Sequence, residues 1–530
     1  MLLFWLLSPV TAQVPEEPPI VARITVSDEA EARQIVTLGL DLMEYRDGDD
    51  FIFWTTKEQL ADLEAAGWRV RVDEKLTAEL AAIDLNDTYL GGYRTVEETR
   101  TFLNQKAAQY PMLARVFTYG QSWEKLQNAA TGYDLYGISL TNTAIRGNKP
   151  RFFLEAGIHA RELVPPEIAT RFVDYLLSNY GVDADATWLL DEHEIIVIPI
   201  VNPDGRKLAE QSLLKRKNMN STSGNCTNVS RGIDLNRNFS YLWGTVNPPT
   251  TPPCSETFPG LSAASEPEAW FIEDLLDVLY PDQRAPGQTS PAPLDATGIF
   301  LDMHSTGNLI LYPWGQDQTP PPNIQLRTIA QRMAAFNGYD PIQSINLYAT
   351  SGTAREYAYG ELGVAGLAME IGLGSGTCGG FMPAYTCIDG GTNGNFWNLN
   401  KPVLLYLAKI ARTPYMTSEG PTTETLTVTR TGSKSYLLRG SVNDGSNGNQ
   451  LVNGAEVYVD VPPWRGGVPI SMVAEDGSFN SPLESVVRTV TVSPSRHIVY
   501  VRGRDANGNW GAITAAFIPS RLGGTAQIPD

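Results

Sequence analysis

The chain has 530 residues, of which 42% are hydrophobic and 19% are charged, and its formal net charge is −19 at pH 7. This length predicts two or three domains, and the composition is that of a folded globular protein rather than an intrinsically disordered one. The acidic balance argues against a nucleic-acid-binding protein, because attraction to phosphate groups needs a basic surface.

The chain begins with MLLFWLLSPVTA, a short apolar stretch that ends in small residues. Val10 and Ala12 satisfy the small-residue rule for signal-peptide cleavage, although no Lys or Arg precedes the apolar stretch. We therefore expect residues 1–12 to be a signal peptide and the protein to be secreted. No other segment combines the length and the apolar character that a bilayer span needs, so no transmembrane segment is predicted.

Residues 20–75 alternate between strand and helix patterns in the order β-α-β-β-α-β, which predicts a ferredoxin-like fold. The strands are predicted at VARITV, LDLMEY, FIFWT and WRVRV, and the helices at residues 29–37 and at KEQLADLEAAG. This block has no Cys, no His and no glycine-rich loop, so we expect a folding or blocking function. Residues 76–89 are predicted to form an exposed connector.

Residues 90–412 form the largest block, and four apolar runs in it predict buried strands: RFFLEAG, EIIVIPI, GIFLDMH and VAGLAMEIG. Helical patterns separate them, so we expect an α/β domain with a mixed, mostly buried sheet flanked by helices. Three of the runs end on or near His159, His304 and Glu370. Ligands of open α/β sheets bind beyond the carboxyl ends of the strands, which makes these endings candidate site residues.

Residues 420–523 are rich in Thr, Ser, Val and Gly, and short alternating segments predict an all-β sandwich. Pro414–Pro421 is the expected linker. The sequence leaves open whether the sandwich binds substrate, binds a surface or polymer ligand, or supports the structure.

Four cysteines fall as two local pairs, Cys226 with Cys254 and Cys378 with Cys387. In an exported chain this pattern predicts two disulfides. A structural zinc site is the alternative, but it would need closer spacing such as C-x-x-C, which is absent from the sequence.

The chain contains only four histidines, and two of them fit a metal site. Glu162 follows His159 by three residues, so a turn can direct both side chains, together with His304, at one ion. Two imidazoles and one carboxylate form the open catalytic zinc arrangement, and Glu370 is the best-placed general base. The alternative is a set of separate surface residues. His193 and His497 are expected to be ordinary structural residues.

Five segments of the large block resemble the zinc metallocarboxypeptidases, the family of the pancreatic carboxypeptidases A and B. They follow the family's order: HARE, GIDLNRNF, PCSETFPG, LDMHS and LYATSG, with Tyr348 standing 22 residues before Glu370. The ferredoxin-like block also resembles the family's inhibitory prodomain. One difference is the run EIGLGSGTCGG after Glu370, where the pancreatic enzymes have an Arg and an Asp, so we expect a rebuilt loop there.

The resemblance implies a role for each matching residue. His159, Glu162 and His304 would bind one Zn²⁺ per chain, and Glu370 would act as general base. Arg216 would polarise the scissile carbonyl. Asn236 and Arg237 would bind the substrate's terminal carboxylate, and Tyr348 would close over the substrate. The alignment at Arg216 could shift by one residue, because Lys215 replaces an aromatic residue. Asp234 would orient a ligand histidine, or alternatively cap a turn.

The residue seven positions after the mobile tyrosine lies at the base of the family's specificity pocket, and here it is Arg355. A guanidinium there predicts a preference for Glu or Asp at the substrate's end, because it can form two hydrogen bonds with a carboxylate. If Glu356 neutralises Arg355, or if the side chain points to solvent, a broad apolar preference is the alternative.

Taken together, the resemblance predicts a secreted, monomeric carboxypeptidase, made as a zymogen, that acts on peptide or protein C-termini. The alternatives on the same scaffold are a cell-wall peptide hydrolase and a deacylase of amino-acid conjugates. A non-catalytic binding protein is a further alternative, which the complete set of zinc ligands and general base disfavours.

Overall fold

A computed structural model describes residues 20–81 and 91–519 of the chain. The expected signal peptide, most of the expected connector and residues 520–523 of the expected sandwich lie outside the described residues. Among the helices of the described part, none has the length and apolar character needed to cross a membrane.

The N-terminal unit contains a four-stranded sheet with two helices. Its strands are β1 (Ile20–Thr25), β2 (Asp41–Asp47), β3 (Asp50–Thr55) and β4 (Val70–Val72), and its helices are α1 (Glu29–Thr37) and α2 (Lys57–Ala65). The spatial order is β2-β3-β1-β4, and each neighbouring pair is antiparallel. Both helices begin at a side-chain cap: Asp28 accepts from the Glu31 backbone N–H, and Thr56 accepts from the Gln59 N–H.

A third helix, α3 (Glu74–Ala81), covers the start of the expected connector. Its first turn is fixed by Asp73, which accepts from the Leu76 backbone N–H at 2.9 Å and from Arg23 Nε at 2.6 Å. Leu76 is buried against Val21 and Ile52 of the sheet. Helix α3 therefore packs against the sheet of the N-terminal unit through Leu76.

The central domain is built on an eight-stranded sheet with the order β11-β10-β12-β9-β7-β8-β6-β5. The strands are β5 (Ala114–Gln121), β6 (Asp134–Leu140), β7 (Arg151–Ala156), β8 (Glu194–Ile198), β9 (Ile299–His304), β10 (Leu309–Tyr312), β11 (Asp340–Gln343) and β12 (Ala365–Glu370). Five long or medium helices flank the sheet: α4 (Val96–Gln109), α6 (Val164–Ser178), α9 (Pro267–Leu279), α10 (Gln325–Asn337) and α12 (Phe396–Ile410). Four shorter ones complete the domain: α5 (Trp123–Gln127), α7 (Ala184–Glu192), α8 (Pro203–Ala209) and α11 (Ala354–Gly360).

The sheet is mixed, as the sequence predicts, and its centre is parallel. Strands β12, β9, β7 and β8 run parallel, whereas β10 pairs antiparallel with β12, and β6 with β8. All six residues of β9 and of β12 are buried, which agrees with their continuous apolar sequences. Because β12, β9 and β7 are parallel neighbours, their carboxyl ends lie at the same end of the sheet. Glu370 is the direct ladder partner of His304.

Both predicted disulfides are present. Cys226 is joined to Cys254 and Cys378 to Cys387, and no cysteine is free. The second bridge closes a loop of the rebuilt segment after Glu370. The same segment reaches the metal-ligand region, since the Leu163 backbone N–H donates to the Phe381 carbonyl at 3.1 Å.

The C-terminal region is all-β, with seven strands in the order β13-β14-β17-β16-β15-β18-β19. They are β13 (Thr422–Arg430), β14 (Ser435–Asn443), β15 (Val452–Val459), β16 (Ile470–Ala474), β17 (Leu483–Thr491), β18 (His497–Asp505) and β19 (Thr514–Ile518). The predicted linker contains a short helix, α13 (Pro414–Thr417), in which Tyr415 is fully buried. Trp464 donates from Nε1 to Glu192 Oε2 at 2.8 Å, so the all-β region contacts the central domain.

Candidate metal centre and active site

Three buried side chains converge at the carboxyl ends of β7 and β9. The Nδ1 atom of His159 lies 2.7 Å from Glu162 Oε1, and Nδ1 of His304 lies 3.2 Å from Glu162 Oε2. The two Nδ1 atoms are 3.2 Å apart. Within the described residues this is the one group of three His, Cys, Asp or Glu side chains whose ligand atoms lie within 4.8 Å of one another. Two imidazoles and one carboxylate form the donor set of a catalytic zinc site with one open position.

Each imidazole turns its other nitrogen towards a buried aspartate. His159 Nε2 lies 3.3 Å from Asp234 Oδ1, and His304 Nε2 lies 2.6 Å from Asp302 Oδ2. A carboxylate at Nε2 holds the proton there and leaves the Nδ1 lone pair for a metal, which fixes the ligand tautomer. Asp234 was expected from the sequence, but Asp302 was not. The available signal was its position two residues before His304 on the same strand, which places both side chains on one face.

The electrostatics of the centre favour a cation. Burial opposes the ionised form of Glu162, but the imidazoles of His159 and His304 outweigh it and hold the pKa of Glu162 below its usual value. Burial also opposes a charged His304, yet the carboxylates of Asp302 and Glu162 raise its pKa well above the usual value. The surrounding carboxylates therefore stabilise positive charge at this point, as a divalent metal site requires.

Arg216 contacts Asp234, the carboxylate that lies beside His159. Its Nε and Nη2 atoms donate to Asp234 Oδ2 at 3.1 and 3.0 Å. Lys215 turns away and donates to the Val229 carbonyl at 3.0 Å, so Arg216 is the basic residue of this segment that faces the site. Burial opposes ionisation of Asp234, but Arg216 and Arg237 hold its pKa well below the usual range.

Asp234 combines both roles that the sequence left open. Besides facing His159, its Oδ1 atom accepts the Asn236 backbone N–H at 3.1 Å and caps the short helical turn Leu235–Arg237. That turn directs Asn236 and Arg237 towards the centre. The Asn236 amide is itself fixed: Nδ2 donates to Asp302 Oδ2 at 2.9 Å, and Oδ1 accepts from the Ala354 backbone N–H at 3.0 Å.

A small cavity is lined by the two candidate ligand histidines and by several of the other candidate site residues. Its lining includes His159, Asn236, Arg237, His304, Tyr348, Arg355 and Glu370. Its volume of about 20 Å³ leaves room for about one water molecule. The Tyr348 ring lies 5.9 Å from the Arg237 guanidinium carbon and packs into an apolar cluster with residues of the N-terminal unit. The N-terminal unit therefore packs against one wall of the cavity.

Arg355 is buried at one side of this cavity rather than turned to solvent. Only 4% of its surface is exposed, and its Nη2 atom donates to Thr350 Oγ1 at 3.3 Å. The neighbouring Glu356 points elsewhere, because its Oε1 atom accepts the Gly315 backbone N–H at 2.5 Å. Burial raises the pKa of Glu356, with Arg355 working against that shift. Arg355 therefore lines the cavity, and Glu356 is close enough to interact with its charge.

Comparison with known proteins gives one family. Residues 99–395 match the family model described as zinc carboxypeptidase. Carboxypeptidase B of Helicoverpa zea is 30% identical over 270 residues, an alignment that covers 50% of this chain and 57% of that protein. A protein named zinc carboxypeptidase from Saccharothrix mutabilis subsp. capreolus is 29% identical over 381 residues, covering 66% of this chain and 80% of that protein. The aligned part of the chain thus covers less than two thirds of the length of the first relative and more than two thirds of the length of the second.

Solved structures share the fold. Carboxypeptidase A from Helicoverpa armigera superposes with a TM-score of 0.56 at 23% identity, covering 74% of this chain and 98% of that chain. Thrombin-activatable fibrinolysis inhibitor superposes with a TM-score of 0.53 at 19% identity, covering 75% of this chain and 99% of that chain.

Proposed function

Since the chain belongs to the zinc carboxypeptidase family, we propose that it hydrolyses the C-terminal residue of peptides. The observation that carries this proposal is the convergence of His159, Glu162 and His304, together with a cavity that His159 and His304 line jointly with Arg237. The first three side chains can hold a metal, and the guanidinium can hold a terminal carboxylate. A binding protein on the same fold would need neither feature intact.

The donor set fits zinc. Two imidazole nitrogens and one carboxylate would hold the ion, and Asp234 and Asp302 would orient the imidazoles. A zinc ion bound there would act as a Lewis acid and would lower the pKa of water to about 7.

Glu370 is proposed as the general base. It ends β12 directly beside His304, lines the cavity and is buried. A carboxylate in that position can take a proton from the attacking water and later pass it to the leaving amine. Arg216, held in place by Asp234, would stabilise the developing negative charge of the scissile carbonyl, and such stabilisation is commonly the largest catalytic contribution.

Arg237 would restrict cleavage to the chain end. Its guanidinium lines the cavity next to the metal ligands, and a bidentate pair with a free α-carboxylate is open only to the last residue of a peptide. Asn236 would act mainly by positioning, since its amide is held by Asp302 and Ala354. Tyr348 would close over the bound residue.

We further propose a preference for acidic C-terminal residues. The buried guanidinium of Arg355 lines the cavity, and Glu356 is engaged with the Gly315 backbone. A Glu or Asp side chain would pair with Arg355, whereas Leu or Phe would leave a buried charge without a partner.

The N-terminal unit is proposed as an inhibitory prodomain with a ferredoxin-like fold. Its β-α-β-β-α-β order and its antiparallel β2-β3-β1-β4 sheet support that fold. Its apolar core contacts two residues of the cavity lining, because Ile24, Phe51 and Phe53 belong to one apolar cluster with Leu347 and Tyr348. Cleavage in the segment that joins residues 81 and 91 would release it. We also propose secretion, which the two disulfides support.

Two related activities on the same scaffold, cell-wall peptide hydrolysis and deacylation of amino-acid conjugates, would keep the zinc ligands and Glu370. The carboxylate-binding side chains and the covering unit favour the carboxypeptidase. A ligand of the sandwich and a monomeric state stay predictions.

The proposal is tested on the full chain after limited proteolysis. We expect release of single C-terminal residues from a peptide, loss of that release with a metal chelator and its return with zinc. A peptide whose C-terminus is amidated is the matched control, because it cannot pair with Arg237. Equal turnover of the amidated peptide would contradict exopeptidase activity, and no turnover of either peptide by the zinc-loaded protein would contradict the function.

A further inference from the structure

Two acidic side chains face each other behind the metal ligands. Glu155 is on β7 and Asp302 is on β9, and the parallel ladder places them directly opposite each other. Both residues have no exposed surface. Cross-strand neighbours on one face of a sheet are in side-chain contact, so the two carboxyl groups meet in the interior.

Their hydrogen-bond partners are distributed unequally. Asp302 Oδ2 accepts from Asn236 Nδ2 at 2.9 Å and lies 2.6 Å from His304 Nε2. Within the described part of the chain, no donor reaches Asp302 Oδ1 or either oxygen of Glu155. All three of these oxygens are buried.

Two ionised carboxylates in this arrangement would be unstable. Each charge would be out of water, and the two would repel each other. One proton between them removes both problems, since a protonated carboxyl group becomes a hydrogen-bond donor to its neighbour. Asp302 Oδ2 has two hydrogen-bond partners, whereas no donor among the described residues reaches either oxygen of Glu155. Burial, followed by the charge of Asp302, raises the pKa of Glu155 well above its usual value.

We propose that Glu155 is a neutral acid that donates a hydrogen bond to Asp302 and thereby holds its carboxylate against His304 Nε2. Glu155 is then a positioning residue for the His304 ligand, two side chains removed from the metal. This inference rests on the proposed zinc site and adds to it a residue that supports His304 through Asp302. A side chain without a donor at position 155 would leave Asp302 Oδ1 buried and unsatisfied, and Asp302 could then rotate away from the imidazole.

The test compares Glu155→Gln, whose amide can still donate to Asp302, with Glu155→Leu, which cannot. Zinc dissociation constants are measured on the full chain by chelator competition, a readout that needs no peptidase activity. We expect the Gln variant to stay within about threefold of the wild type, and the Leu variant to bind zinc about 10- to 100-fold more weakly, as losses of outer partners of metal ligands do. Leu binding as tightly as the wild type would overturn the proposal.

A second measurement stays decisive even if Glu155→Leu does not fold. Infrared spectra at neutral pH report a protonated carboxyl group directly, and we expect Glu155→Gln to lose one such band. Glu194→Gln is the matched control: Glu194 lies on the neighbouring strand β8 and pairs with Arg151, so its replacement should leave that band unchanged. A wild-type spectrum without the band would overturn the proposal. Failure of the wild type to bind zinc would instead contradict the proposed function, and the infrared result would be unaffected.

Discussion

Asp41 of the N-terminal unit forms a bidentate ion pair with Arg161, which lies between the ligands His159 and Glu162. Arg161 Nη1 and Nη2 donate to the two Asp41 oxygens, each at 2.6 Å. Arg161 is 1% exposed, and its guanidinium carbon lies 4.1 Å from the centre of the Phe381 ring. The N-terminal unit is thus joined to the loop that carries two of the three candidate metal ligands.

This pair leads to the first prediction. Asp41→Asn should loosen the N-terminal unit, because it leaves a buried guanidinium without its counter-charge, and breaking one side of a buried pair costs about 3–5 kcal/mol. We expect the intact variant to hydrolyse peptides faster than the intact wild type, and the difference to vanish once both chains are nicked between residues 81 and 91. Peptidase rates before and after limited proteolysis provide the measurement.

The matched control is Asp47→Asn, on the same strand but with 68% of its side chain exposed and paired only with Arg23 within the unit. It should leave the intact chain unchanged, because exposed ion pairs contribute at most about 1 kcal/mol. Equal activity of the intact and nicked wild-type chains would contradict the zymogen proposal as a whole.

The second prediction separates metal binding from proton transfer. Glu370→Gln keeps the shape of the side chain but removes the base, so kcat should fall by about 10²- to 10⁴-fold while zinc stays near one ion per chain. Metal analysis and steady-state kinetics on the same sample provide the test. A variant with full activity would exclude Glu370 as the general base.

The third prediction concerns the ligands themselves. His304→Ala removes one of two imidazoles, and we expect zinc and activity to be lost together. His193→Ala is the control: this histidine is also buried, but it packs edge-on against Trp188, with 5.2 Å between the ring centres. It should lower stability without changing zinc stoichiometry. Retention of zinc by His304→Ala would contradict the assigned ligand set.

Local signals account for what the sequence predicted. Helices α1 and α2 were predicted from the alternation of strand and helix patterns, and the structure adds that Asp28 and Thr56 cap them; the central strands were predicted because their apolar runs are continuous. The candidate metal ligands were chosen from a short spacing and from strand ends. Strands β10 and β11 were not predicted, since four residues carry little pattern.

Contacts between distant segments could not be predicted in the same way. Arg161 and Asp41 are 120 residues apart, and Glu155 and Asp302 are paired only because β7 and β9 are neighbours. No local pattern distinguishes an aspartate that will face an imidazole from one that will face water. The burial of Tyr415 in α13 likewise depends on a distant segment, because its hydroxyl donates to the Gly363 carbonyl at 2.9 Å.

The fourth prediction tests whether the sandwich is an integral part of the protein. Trp464 contacts Trp188 with 5.5 Å between ring centres and lies 4.8 Å from the Arg412 guanidinium carbon. Trp464→Ala should lower the free energy of unfolding by about 3 kcal/mol, as large-to-small changes at packed aromatic sites do. Val468→Ala, at a residue that is 79% exposed, should have almost no effect. Thermal unfolding measures both, and an unchanged Tm for Trp464→Ala would show that the interface contributes little.

The last prediction concerns which chain end is removed. Arg355 lines the cavity together with Arg237, and Glu356 accepts a hydrogen bond from the Gly315 backbone. The nicked wild type should therefore prefer a terminal Glu over Phe or Lys. Arg355→Ile should reverse the Glu-to-Phe preference, changing the ratio of the two kcat/KM values on the order of 100-fold, about 2.7 kcal/mol.

Peptides that differ only in their last residue provide this measurement. Arg100→Ile is the control, because Arg100 is exposed on α4 and stacks over Tyr136, with 4.4 Å from its guanidinium carbon to the ring centre. It removes the same charge outside the cavity and should leave the ratio unchanged. If the wild type prefers Phe to Glu and Arg355→Ile does not alter that ratio, then Arg355 does not set specificity and the apolar alternative holds. A parallel change in both variants would indicate that overall charge, rather than a specific pair in the cavity, steers acidic substrates.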